Sequence, residues 1–195
     1  MKQDAKNKRE FLFVRHGQTD WNIQGRLQGR SDQPLNSTGI AQAKVSAESL
    51  VGQSVGAIVS SPLLRAHRTA TIISDRLGVP VMTDDDLIER NFGAFEGQLL
   101  SEIVPAGISV LDFVTMESLS ADSEPWGDVC QRVSTSVDNW QNDFPDKPVL
   151  FVSHYGVISA LCQNLFGEKK PAKNAVPFHF SRCGEWSMAE VMAKD

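Results

Sequence analysis

Two apolar runs, Phe11-Leu12-Phe13-Val14 and Val149-Leu150-Phe151-Val152, each break off at a polar residue followed by a histidine. Runs of this length and composition read as short buried strands. Arg15-His16-Gly17 follows the first and Ser153-His154-Tyr155-Gly156 the second, so both histidines are expected at the ends of central strands. In open α/β sheets the carboxyl edge is where ligands bind. The Arg15 guanidinium can fork onto two oxygens of an oxyanion, and Gly17 lets the backbone come close to it. A phosphate facing His16 suits this set.

The segments between the two runs alternate strand and helix. Gln24 to Asn36 is rich in Gly, Gln, Asp and Pro and reads as a surface loop, from which Arg26, Gln28 and Gly29 could reach a ligand. A helix is expected from Ser37 or Thr38, with Ile40, Ala43, Ala47 and Leu50 on one face. Val55 to Ser60 reads as a strand, and Ser61-Pro62 opens a helix that Gly78 ends. Arg65 then falls in the first turn of that helix, where free backbone N–H groups and the helix dipole favour an anion. Val79 to Thr83 is a third short strand, and Asp84-Asp85-Asp86 reads as solvated carboxylates rather than a metal site. Two glycines and two aromatics then shape a loop around Glu89, with Glu96 as the alternative carboxylate, expected to support the loop. The polar stretch from Gln98 to Pro125 supports only a flexible surface segment with a weak helix at Val110 to Met116. A helix capped by Asp128 is expected next, then one from His154 that Gly167 closes. A terminal hairpin pairs Ala175 to Phe180 with Glu185 to Val191. The pattern predicts an α/β three-layer sandwich, a mostly parallel sheet with helices on both faces. All of residues 1–195 are read as a single domain, with 1–10 a flexible tail.

Bulk properties narrow the partners. The 19 basic and 24 acidic residues leave a net charge of −5, which argues against a general nucleic-acid surface. Arg15, Arg26, Arg30, Arg65, Arg68 and Arg90 nevertheless cluster in the first half, so a basic pocket can sit within an acidic molecule. Three cysteines without a Cys-x-x-Cys pair suggest neither a disulfide framework nor a zinc knuckle. No stretch approaches the roughly 20 apolar residues of a membrane helix, so no membrane partner is expected and the protein reads as cytoplasmic.

Arg15-His16-Gly17 with Thr19, Trp21 and Asn22 resembles the signature of the histidine phosphatase superfamily, which includes cofactor-dependent phosphoglycerate mutases and many phosphatases. Gln28 to Leu35, Ser60 to Ala66, Leu87 to Gly97 and Ser153 to Gly156 are similar to later segments of the same family, in the same order. The resemblance implies that His16 is the nucleophile, Glu89 the general acid and His154 the second active-site histidine. It also implies phosphate binding by Arg15, Asn22 and Arg65, with Gly17, Thr19 and Gly29 beside them. No metal or cofactor is implied, because the protein itself supplies the positive charge. The expected partner is a small phosphate ester, covered by an insertion at residues 98–127. Asn91-Phe92 stands where the mutases commonly carry His-Tyr, which favours a phosphatase over a mutase; a non-catalytic phospho-ligand module is the remaining alternative. Tyr155 departs from the commonest pattern, in which glycine follows the second histidine. The natural substrate and the oligomeric state, homodimer included, stay open.

Overall fold

Successive side chains of a strand face opposite sides of a sheet, and along the first apolar run neither side meets water. Phe11 and Phe13 enter one apolar cluster, Leu12 and Val14 another. Both faces must therefore be covered, and the computed structural model, which describes residues 9–192, shows how. Its strands are β1 (Arg9–Arg15), β2 (Ala57–Ser60), β3 (Val81–Thr83), β4 (Val149–Ser153), β5 (Pro177–Cys183) and β6 (Glu185–Glu190). They form one sheet of order β3-β2-β4-β1-β5-β6. Strands β1 to β4 pair in parallel, while β5 runs antiparallel to β1 and β6 antiparallel to β5.

The helices are α1 (Asp20–Gln24), α2 (Ser37–Ser49), α3 (Leu64–Leu77), α4 (Leu100–Ile103), α5 (Val110–Val114), α6 (Trp126–Asp143) and α7 (Tyr155–Phe166). Val129, Val133 and Val137 of α6, with Val157, Ile158 and Leu161 of α7, cover the face that carries Phe11, Phe13 and Phe151. Ala47 of α2, with Ala70 and Ile73 of α3, covers the face of Leu12, Val14 and Leu150. The expected mostly parallel sheet with helices on both faces is what the chain forms. Each fully buried aliphatic or aromatic side chain here contributes roughly 1.5–3 kcal/mol. No helix among the described residues is long and apolar enough to cross a membrane.

Several boundaries differ from the sequence reading. Asn36, not Ser37 or Thr38, caps α2 by accepting from the Gly39 N–H at 2.8 Å. Helix α6 starts at Trp126, two residues before Asp128, because Trp126 is buried and its Nε1–H donates to Gln163 Oε1 at 2.7 Å. Tertiary packing of the indole outweighs the local capping signal. The expected N-terminal tail lies outside the described residues except for Arg9 and Glu10, which belong to β1.

The largest difference concerns residues 98–127. This segment is not a loose surface strap: Phe113 and Val114 are buried against Leu27 and Phe92 in a third apolar cluster. Arg90 holds the segment from below. Its guanidinium is fully buried and donates to the carbonyls of Val114 (2.8 Å), Met116 (2.7 Å), Glu117 (3.2 Å) and Glu124 (2.8 Å). The rings of Phe92 and Trp126 flank it, each 5.7 Å from its centre. Replacing Arg90 with Met would strand those carbonyls, so a loss on the order of 3 kcal/mol is expected in urea unfolding. Amide exchange should rise most across residues 114–124.

Candidate active site

The parallel register sets Arg15 of β1 beside Ser153 of β4, so the next residue of each strand, His16 and His154, emerges at the same edge. The His16 N–H donates to the Ser153 carbonyl at 2.9 Å, and the two imidazole centres lie 5.3 Å apart. His16 Nδ1 is 2.7 Å from the Gly17 carbonyl. A carbonyl can only accept, so Nδ1 carries the proton and Nε2 keeps its lone pair. Ser61, just beyond β2, brings its Oγ within 2.7 Å of His154 Nε2 and accepts from the Leu63 N–H at 3.3 Å. His154 Nδ1 is buried without a partner.

Two arginines face this pair. Arg65, in the first turn of α3, is fully buried; Nη2 donates to the Gly29 carbonyl (2.7 Å) and Nη1 to that of Ser31 (3.0 Å). Arg15 donates from Nη1 to the Ala172 carbonyl at 2.9 Å and lies 5.0 Å from the centre of the Tyr155 ring. The Nε of each is buried without a partner, and among the described residues neither arginine forms an ion pair. Cations held in this way, with Glu89 near enough to act through its charge but not to pair, are costly unless an anion arrives. Their unfilled donors mark where its oxygens belong.

Electrostatics keep the histidines neutral. Burial first, then the charges of Arg65 and Arg15, hold His16 well below the ordinary value of 6.5. Burial, Arg65 and His16 do the same to His154. Burial pushes the Arg15 guanidinium down to about 10, against the pull of Glu89, so it remains charged at neutral pH.

Arg15, His16, Asn22, Gly29, Arg65 and Glu89 are among the residues that line a cavity of about 330 Å³, whereas His154, fully buried, is not part of its wall. Glu89 is buried, with Oε1 accepting from the Arg90 N–H (2.9 Å) and Oε2 from the Gly156 N–H (3.1 Å). Asn22 Oδ1 accepts from the N–H of Thr19 (3.0 Å), which fixes the amide so that Nδ2 is its other end. Gly29 sits at φ 55° with its carbonyl on Arg65, and a side chain there would strike the Glu96 carboxylate.

Gly17 and Thr19 stand outside the cavity wall. The Gly17 N–H is committed to Thr69 Oγ1 (3.0 Å), and its Cα packs too tightly on the Gly39 carbonyl for any side chain. Thr19 is buried, donating to Gln28 Oε1 at 3.1 Å and capping α1. Both shape the loop, and neither lines the cavity. The acidic run is likewise occupied: Asp84 accepts from the Asp86 N–H, Ser136 Oγ and Trp140 Nε1.

Asn174 and Ala175 carried no sequence signal, whereas Glu96 supports its loop as expected. Asn174 Nδ2 donates to the His16 carbonyl (2.9 Å), and the Ala175 N–H to that of Arg15 (2.8 Å). The loop before β5 thus clamps the end of β1. Glu96 ties two loops together, accepting from the N–H groups of Arg30, Ser31 and Phe92.

The sequence model of the histidine phosphatase superfamily (branch 1) matches residues 11–188. A Bacillus subtilis (strain 168) protein named "Uncharacterized phosphatase PhoE" is 38% identical over 158 residues, 80% of this chain and 76% of its own. A Yersinia pestis (strain Pestoides F) protein named "Probable phosphoglycerate mutase GpmB" is 42% identical over 96 residues, 49% of this chain and 45% of its own. Among solved structures, a mycobacterial glucosyl-3-phosphoglycerate phosphatase in complex with VO3 superposes with a TM-score of 0.82 at 30% identity, covering 95% of this chain and 100% of that one. Sequence match, sheet order and paired histidines agree: the chain belongs to the histidine phosphatase superfamily.

Proposed function

We propose that this hydrolytic enzyme releases inorganic phosphate from small phosphate monoesters through a phosphohistidine on His16, without a metal ion. The observation that carries the reading is a neutral imidazole whose Nε2 lone pair shares one cavity with two ion-pair-free arginines and a buried carboxyl. Nε2 would form a bond to phosphorus as the bond to the ester oxygen breaks. Glu89 would give its proton to the departing alkoxide. A water, deprotonated by Glu89, then attacks phosphorus, and the P–N bond breaks to restore the lone pair.

Arg15 Nε, Arg65 Nε and Asn22 Nδ2 are the donors for the equatorial oxygens. His154 completes the set if Ser61 donates its O–H to Nε2, since Nδ1 then bears the remaining hydrogen. Residues 98–127 would cover the bound ester, because Leu100, Val110 and Val114 line the cavity. Gly156 has a defined part in placing the acid. A Cβ there would collide with the Glu89 carboxylate, so Gly156→Ala is expected to lower kcat/KM by about 10²-fold with circular dichroism unchanged.

The match to mutase-named relatives supports a second reading, a cofactor-dependent phosphoglycerate mutase. Assays with EDTA present separate the two. Phosphate release that survives EDTA and disappears in His16→Ala and Glu89→Ala supports the hydrolase. Isomerisation of phosphoglycerate that needs a bisphosphorylated primer, without phosphate release, supports the mutase.

A further inference from the structure

The cavity wall carries two chemically distinct sets of residues. Besides the donors around His16, the wall carries Leu27, Phe92, Leu100, Val110, Val114 and Tyr155; its uncharged polar members Gln28 and Asn174 are already hydrogen-bonded, to Thr19 and to the His16 carbonyl. Most of the former belong to, or pack on, the apolar cluster built by the 98–127 segment, so the wall is held in place by a core of its own. Tyr155 touches both sets, its ring centre 5.0 Å from the Arg15 guanidinium and its side chain, only partly buried, packed against that cluster. Arg26 is the remaining cation on the wall. It is tied down through Nη1 to the Gly97 carbonyl (2.7 Å) and through Nε to Gln24 Oε1 (3.0 Å). An alcohol bearing hydroxyls or a carboxylate would lose its hydration against the apolar side chains, and a flat apolar group would lose little.

We propose that the site selects phosphate monoesters of apolar, ring-bearing alcohols, and that Tyr155 is the residue that sets this choice. The inference rests on the phosphatase reading and adds the substrate class. An aromatic ring in the ester would stack on Tyr155 while Tyr155 holds Arg15 toward the phosphoryl oxygens. The volume of about 330 Å³ lies at the small end of ligand cavities, which fits one ring and a phosphate better than a disaccharide phosphate.

The test compares kcat/KM for benzyl phosphate, glycerol 3-phosphate and 3-phosphoglycerate, whose leaving groups are all alkoxides, so differences chiefly report recognition. Benzyl phosphate should lead glycerol 3-phosphate by about tenfold or more, with 3-phosphoglycerate lowest. Tyr155→Phe should keep that ratio, and Tyr155→Ala and Tyr155→Gln should bring it toward unity. Equal values for the three esters in the wild type, or a lead for either polar ester, would overturn the inference while leaving the phosphatase reading standing; a lead for 3-phosphoglycerate would point to Arg26. A ratio unchanged in both Tyr155→Ala and Tyr155→Gln would remove Tyr155 from the choice. A wild type that releases phosphate from none of the three would overturn both readings together.

Discussion

His16→Ala is expected to lower kcat/KM by about four orders of magnitude or more, the largest effect of any single substitution in this chain. Among the described residues, His16 is the one histidine that lines the cavity, and its Nε2 lone pair is free there. Its tautomer is set by the Gly17 carbonyl and its neutrality by burial and two arginines. Because the depressed value belongs to the free enzyme, His16 stays an unprotonated nucleophile well below pH 6.5, and its limb of the kcat/KM profile falls only under more acidic conditions. Steady-state rates with a single ester across the acid range check both statements. His16→Asn keeps a polar side chain of similar length and should be equally inactive.

Arg65→Met should follow, with a loss of about 10³-fold in kcat/KM. One donor to the phosphoryl oxygens disappears, and the Gly29 and Ser31 carbonyls lose their partner. The second loss costs stability as well, on the order of 1–3 kcal/mol for each buried carbonyl left open. Arg65→Lys separates the terms, because an ammonium restores the charge without the planar fork. There is a signed pH consequence. Arg65 is the largest charge acting on His16, and removing a positive charge lets the imidazole protonate more readily. The acidic limb of Arg65→Met should therefore move to higher pH, whereas that of Arg65→Lys should stay near the wild type.

The parts of the site nearest the sheet were legible in the sequence because they follow strand ends. Phe11 to Val14 and Val149 to Val152 read as buried strands, and the parallel register of the structure brings His16 and His154 to one edge. Arg65 was legible from its place in the first turn of a helix with clear apolar spacing. The packing of residues 98–127 was not legible. Ile103, Val104, Ile108, Phe113 and Val114 are scattered without a period, and their burial depends on Leu27 and Phe92, which lie far away in the chain. Arg90 stood in the sequence among the first-half arginines that could build a basic pocket, with no sign of a structural part. Its carbonyl cage is assembled by backbone turns that no side-chain pattern announces. Asn174 and Ser61 were hidden for the same reason: each acts through a single long-range bond to the end of another strand. Gly17 and Thr19 carried a family signature whose visible work is packing and capping.

Covalent phosphotransfer to His16 is the central claim, and trapping the intermediate tests it most directly. Wild-type enzyme would be mixed with benzyl phosphate carrying radiolabelled phosphorus, quenched in alkaline detergent on the millisecond scale, and the protein-bound label assayed for acid lability. Phosphohistidine is stable to base and labile to acid, so the label should remain at alkaline pH, leave on brief acidification, and map to the peptide containing His16. It should be absent from His16→Ala. Turnover without any protein-bound label, or a label that persists in His16→Ala, would contradict the mechanism.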